Sequence, residues 1–196
     1  MFNTASGVFI PFPERIREEY SISDNQIVFN ISFERLKPIV NEFISSLLEP
    51  IYLIIKKPLK EKYKPNSFTK GPFKAELLYI DVQTKEKLNE VFNQFGEILF
   101  NDGMSQFGIR SHVTGDEIFI AKYKTIYIFS NEVNKHIGLL DKNDIAKTDD
   151  LILPRDLMSS EYPGKRSRVV INNKDIFDVA EYMKDMFVYK SMIVDD

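Results

Sequence analysis

Residues 105–129 constrain the fold more than any other stretch, because they read as three short β-strands joined by two tight turns. The segment is SQFGIRSHVTGDEIFIAKYKTIYIF. Its Phe, Ile, Val and Tyr residues favour strands, whereas Thr114 and Gly115 favour a reversal of the chain. Consecutive strands joined in this way form an antiparallel meander. The sequence therefore predicts a sheet that contains this meander.

Amphipathic helices are expected before and after the meander. Apolar residues recur three and four positions apart in 33–48 and again after Thr84, which indicates one buried face per helix. Thr84 is a good N-cap for the second of these helices. The sequence Asn101-Asp102-Gly103 predicts that this helix ends at a residue with left-handed backbone angles. Further helices are predicted over 14–20, from Ser130 or Asn131 to about Leu140, and after Asn173. Strands are predicted at 26–31, 51–55, 73–81 and 168–171.

Along the chain, the predicted helices and strands neither alternate one by one nor fall into separate groups, so the predicted fold class is α+β. The chain of 196 residues fits a single domain spanning 1–196. We expect a mixed or mainly antiparallel sheet, with the meander of about 105–129 packed by the amphipathic helices. An extended N-terminal arm is expected over about 1–12, and a long lysine-rich loop over about 56–72.

Composition excludes several classes of protein. The chain has no cysteine, so disulfides, thiolate metal sites and cysteine nucleophiles are absent. Its two histidines, His112 and His136, lack metal-ligand spacing, and no glycine-rich phosphate loop is found. We expect no metal and no cofactor. The N-terminus does not read as a signal peptide, and no apolar run approaches the length of a membrane span, so the expected location is cytoplasmic.

The first turn of the meander gathers the reactive side chains, and these are our first candidate binding residues: Arg110, Ser111, His112, Asp116 and Glu117. In a catalytic interpretation, His112 is a general base oriented by Asp116 or Glu117, and Ser111 is the nucleophile. Adjacent residues of a strand point to opposite faces, which separates Ser111 from His112. A polar turn that only satisfies its own geometry, or one that contacts a ligand or partner, remains an alternative.

A second candidate site is the basic segment 56–74. It contains seven lysines and one glutamate. Lys57, Lys60, Lys62 and Lys64 are the candidate binding residues. Such a segment could hold a nucleic-acid backbone, but lysines in a loop are more often only a solvated surface. The net charge of −3 argues against a general nucleic-acid binder.

The stretch ILFNDGMSQFGIRSHVTGDEIFIAKYKTIYIFS, together with the capped helix before it, resembles an uncharacterised family of small bacterial cytosolic proteins. The chain is also similar in character to toxin-immunity proteins, which are small, cysteine-poor, acidic and α+β. The resemblance implies no catalytic residues.

Three functions are therefore kept open. The leading hypothesis is a non-enzymatic cytosolic protein-binding module of immunity or inhibitor type, whose partner is another protein. The alternatives are a small hydrolase using His112 with a nearby carboxylate, and a nucleic-acid-contacting accessory protein using residues 56–74. The sequence leaves the partner and the oligomeric state open, and leaves enzyme activity uncertain but less favoured.

Overall fold

Side chains along 26–29, 117–120 and 126–129 alternate between buried and more exposed positions, as expected for a sheet covered on one face. The computed structural model describes residues 2–59 and 74–195. Its main sheet has nine strands in the order β11-β5-β4-β6-β7-β8-β3-β2-β9, and all pairs are antiparallel except β2 with β9.

The strand bounds are β1 Val8–Phe9, β2 Glu19–Ser23, β3 Gln26–Phe29, β4 Ile51–Pro58, β5 Lys74–Gln83, β6 Gln106–Ser111, β7 Glu117–Ile120, β8 Ile126–Phe129, β9 Ala146–Lys147, β10 Lys165–Arg166 and β11 Tyr189–Asp195. The helices are α1 Phe33–Ser46, α2 Lys85–Asn101, α3 Ile137–Lys142 and α4 Ile176–Met186. The α+β class, the mostly antiparallel sheet and the meander, formed by β6, β7 and β8, are confirmed.

The four helices of the described residues all pack on one face of the sheet. Their buried residues share a single core with the inward side chains of the strands, such as Leu53, Phe107 and Ile118. Phe92 of α2 is typical, since its ring contacts those of Phe100 and Phe107. We call this side of the sheet the covered face.

Helix α2 begins as predicted and ends differently. The Thr84 hydroxyl accepts a hydrogen bond from Lys87 N at 3.2 Å. At the other end, Asp102 has extended rather than left-handed backbone angles. The buried Lys124 ammonium donates to the carbonyls of Leu99 and Asp102, so a cation satisfies the helix end instead of a glycine. Burial lowers the pKa of Lys124 to about 8.

Two predictions near the ends of the chain are wrong. Residues 13–15 form only a single 3-10 turn, and Glu19–Ser23 is a strand because Tyr20 pairs with Phe29 of β3. The last strand is Tyr189–Asp195, where β5 provides the partner, whereas 168–171 contributes only an isolated bridge at Ile171. The N-terminal residues 2–12 lie beside the end of α2, where Gly7 N donates to Asn101 O at 3.0 Å.

Candidate functional site

Arg110 and Glu117 are brought together by the register of the meander. They face each other across β6 and β7, with Arg110 Nη1 3.4 Å from Glu117 Oε2. Both belong to the side of the sheet opposite the helices, which we call the open face. Of the predicted binding residues, these two are the pair that this face presents together.

Aromatic and aliphatic side chains surround this ion pair. Register places the following residues on the open face: Tyr52, Ile54, Leu77, Tyr79, Gly108, Arg110, Glu117, Phe119, Tyr127 and Phe129. None of them belongs to the core shared with the helices. The rings of Tyr127 and Phe129 are nearly parallel with centroids 6.0 Å apart, and Tyr52 contacts Tyr79. The rings shield one another, so most of these side chains are half-buried rather than fully exposed.

Gly108 shows that the aromatic layer is closely packed. It faces Phe119 of β7, and a Cβ atom at position 108 would lie 2.6 Å from Phe119 Cδ2. The missing side chain lets the phenyl ring lie over the strand backbone, which compensates for the weak strand preference of glycine. The open face is therefore a formed surface and not a random set of exposed residues.

Glu117 is partly desolvated on this face. Its side chain is only 12% exposed, and burial raises its pKa, while the nearby Arg110 guanidinium acts in the opposite direction without cancelling the effect. The pKa of Tyr52 is also raised, chiefly by burial. Polar groups held at some cost in an apolar surface are typical of binding sites.

His112 lies at the end of the open face, in a groove of about 440 Å³ lined by residues that include Tyr52, Tyr79 and Asp81. Its ring contacts Tyr52 edge to face at 4.7 Å, and its Nε2 lies 3.7 Å from Asp81 Oδ1. That oxygen is buried and makes no hydrogen bond. The carboxylate beside His112 is therefore Asp81, and neither Asp116 nor Glu117.

Ser111 points to the opposite side and holds the turn. Its hydroxyl donates to Leu48 O at 2.7 Å and accepts from the backbone amides of Val113 and Thr114. With its hydroxyl engaged and buried, Ser111 is not placed to act as a nucleophile for His112. The separation expected from strand geometry is what the structure shows.

Asp116 belongs to a different polar cluster. Its carboxylate accepts from Ser130 Oγ at 2.6 Å and from Lys135 Nζ at 2.7 Å, and it lies 3.5 Å from His136 Nε2. In a catalytic triad the serine would donate to the histidine, whereas here Ser130 donates to the carboxylate. The cluster therefore ties the turn to the segment 130–136.

The titration behaviour of this cluster follows from its contacts. Burial raises the pKa of Asp116, but hydrogen bonds from Lys135, Ser130 and Thr114 outweigh this and hold the pKa well below its usual range. Burial lowers the pKa of His136. A cavity of about 520 Å³ borders the cluster. Sequence reasoning missed the partners of Asp116, because no motif links residues 116, 130, 135 and 136.

The lysine prediction divides into two parts. Lys57 is not a solvated loop residue, since it lies in β4 on the covered face with its side chain only 5% exposed. Its Nζ lies 2.8 Å from Glu76 Oε2 and 5.0 Å from the centre of the Phe177 ring. Lys60, Lys62 and Lys64 lie outside the described residues.

Metal-binding clusters and membrane-spanning helices are both absent from the part of the chain that the structure describes. In these residues no group of three or more metal-ligating side chains comes together, and no helix has the length and apolar character to cross a membrane. In comparisons with known proteins, no family model matches the chain, and no curated protein or solved structure is significantly similar to it. The function is therefore inferred from the geometry and chemistry of the site.

Proposed function

We propose that this protein is a non-enzymatic protein-binding module that recognises another protein through the open face of its sheet. The observation that carries this proposal is an aromatic sheet face that none of the helices in the described residues covers, with Arg110 paired to Glu117 where β6 turns into β7. Aromatic residues and arginine are enriched at protein interfaces and supply most of their binding energy. We further propose the immunity or inhibitor type, acting in the bacterial cytoplasm.

The charges of this face favour a protein partner over a nucleic acid. Arg110 is paired with Glu117, and the groove that continues the face contains Asp81 beside His112. A surface that follows a phosphate backbone needs a continuous positive groove, whereas mixed charges around an apolar centre suit a protein surface. A protein partner would also supply a use for the Glu117 carboxylate, whose charge is partly desolvated on this face.

The test begins with cross-linking from the open face in bacterial cells that make the protein. A photoreactive amino acid is placed at Tyr127, and the cross-linked protein is identified by mass spectrometry and then purified. Its affinity is measured for the wild type and for the double variant Tyr127→Ala/Phe129→Ala. We expect the double variant to weaken binding by about 2 kcal/mol or more, as for aromatic anchors of other interfaces.

Tyr162→Ala is the matched control. Tyr162 is an exposed aromatic residue that contacts Phe12 outside the main sheet, so its loss should leave affinity unchanged. Equal binding by wild type and double variant would contradict the use of this face. Micromolar binding of RNA or DNA near physiological salt, removed by Lys60→Ala/Lys62→Ala/Lys64→Ala, would favour the nucleic-acid alternative instead.

A hydrolase remains the second candidate because of one observation. His112 and Asp81 are adjacent in a groove, an arrangement in which a carboxylate could orient a histidine as general base toward water. The binding proposal expects no turnover on panels of esters, phosphoesters and peptides. Activity that is lost in His112→Ala, with the circular dichroism spectrum unchanged, would replace the first proposal with this one.

A further inference from the structure

The two edges of the nine-stranded sheet are finished in different ways. At one edge, β9 has only two residues, which leaves little backbone open for pairing. At the other edge, β11 has seven residues, all paired on one side with β5. In the described part of the chain no strand pairs with the other side of β11. A row of backbone N–H and C=O groups therefore faces outward along the whole strand.

Strand β11 lacks two of the features that usually protect an edge, and its charged residues are Lys190 and Asp195. It contains no proline, and its register with β5 runs without a bulge. Its side chains are almost all exposed, and many are apolar. The exposed apolar residues of the strand and of the segment leading into it are Met186, Val188, Tyr189, Met192 and Ile193. Long edges with exposed apolar residues are sites where a further strand is added.

We propose that this edge pairs with β11 of a second copy of the chain, across a two-fold axis perpendicular to the sheet. Such an axis makes the strands antiparallel and keeps the open faces of the two copies on the same side. Facing residues then lie on the same face, and the longest such register matches all seven residues. Met192 faces Met192 of the second copy, and Tyr189 faces Asp195.

Charge supports a second copy in this orientation. Lys190 lies in the first half of the strand and Asp195 at its end, with apolar residues between them. In the antiparallel register Lys190 faces Val194 of the second copy and Asp195 faces Tyr189, so no like charges face each other. Parallel pairing in register would instead set Lys190 against Lys190 and Asp195 against Asp195. Both faces of the strand also gain apolar contacts, and two-fold dimers are the commonest symmetric assemblies.

The pairing has a consequence for the open face. Because the axis preserves the faces, the two sheets become one continuous sheet, and the aromatic surfaces of the two copies lie on one side. The dimer does not depend on the proposed partner, since β11 contributes its edge and not the centre of the open face. Failure of one proposal would therefore leave the other standing.

The experiment measures mass by sedimentation over a range of protein concentrations. We expect a monomer–dimer equilibrium for the wild type. Met192→Lys and Met192→Glu each place two like charges opposite each other at the axis, so each variant alone should be monomeric. A mixture of the two should form a heterodimer, because opposite charges now face each other. Met192 is half-exposed, so both variants should remain folded.

Val188→Lys is the control, because Val188 is 77% exposed and apolar but lies outside the strand. It should dimerise like the wild type. A wild type that is monomeric up to about 200 μM, a concentration of our choice, would overturn the proposal. So would a dimer that survives Met192→Lys, or variants that stay monomeric when mixed.

Discussion

The covered and open faces of the sheet are made of alternate residues of the same strands, yet they place charge in opposite ways. On the covered face, Glu76 accepts from Lys57 and lies 2.9 Å from Lys184 of α4, so two cations stabilise one carboxylate. On the open face, Arg110 is the one cation in the described residues that pairs with Glu117. Burial raises the pKa of both groups, but the hydrogen bonds of Glu76 outweigh burial and lower its pKa overall.

The comparison separates stability from recognition. A carboxylate with a lowered pKa stabilises the fold when ionised, whereas one with a raised pKa destabilises it. Glu76 therefore contributes to folding, while the ionised form of Glu117 opposes it. Groups kept at a cost in stability are expected at sites under selection for binding.

The largest expected difference between the faces is in the free energy of unfolding that is lost when an aromatic residue is replaced by alanine. Phe92→Ala should lower the free energy of unfolding by about 3–5 kcal/mol, because the ring is buried among other aromatic rings of the core. Tyr127→Ala should cost less than about 1.5 kcal/mol, because Tyr127 is only half-buried. Urea unfolding of both variants measures this difference. Equal losses would mean that the open face is part of the core.

A smaller loss of stability is expected when the ion pair between Lys57 and Glu76 on the covered face is broken. Glu76→Gln should cost about 2–3 kcal/mol, because it leaves Lys57 buried without a carboxylate. The contribution of Glu76 is fully present above its ordinary pKa of 4.5, and it is lost as pH falls through the lower folded value. The gap between wild type and variant, measured by urea unfolding, should therefore shrink in acid.

The control for that variant is Glu181→Gln, since Glu181 also contacts Lys184 but is exposed. Its cost should stay below about 0.5 kcal/mol, as for surface ion pairs. A loss of the same size in both variants would show that the charge of Lys184, and not the buried Lys57, accounts for the effect.

The smallest expected change in stability comes from replacing Glu117 on the open face. Glu117→Gln should change stability by less than about 1 kcal/mol, and in the stabilising direction. The folded pKa is raised, so the penalty is absent below the ordinary pKa of 4.5 and appears as pH rises through the folded value. Urea unfolding of the wild type and the variant at pH 4 and pH 8 tests whether the variant is the more stable of the two at the higher pH. A clear destabilisation at pH 8 would remove the contrast between the faces.

Local patterns were enough to predict the meander and α2. Alternation along 105–129 shows which residues share a face, and the apolar stripe after Thr84 shows which side of α2 is buried. The helix predicted over 14–20 was wrong because propensity there is overridden by the pairing of Tyr20 with Phe29. The strand β11 was missed because its alternation carries no burial signal.

The candidate site was predicted only in part. Arg110 and Glu117 come together because they are paired across one tight turn, which is a local matter. The partners of His112, Asp116 and Lys57 are not local: Asp81, His136 and Glu76 lie 31, 20 and 19 positions away in the chain. No spacing rule connects such residues. Lys57 was therefore grouped with the other lysines of the basic segment, although its partner Glu76 places it in the core.

The spacing of apolar residues within short segments was enough to predict the fold class, the meander and the buried side of each long helix. Which face of the sheet the helices cover, and which edge stays open, depends on pairings between distant segments. The free energy of those pairings comes from burying whole faces against each other, a quantity that no short stretch contains. Tertiary structure alone therefore decided that Arg110 and Glu117 lie on an aromatic face away from the helices and that Lys57 lies inside.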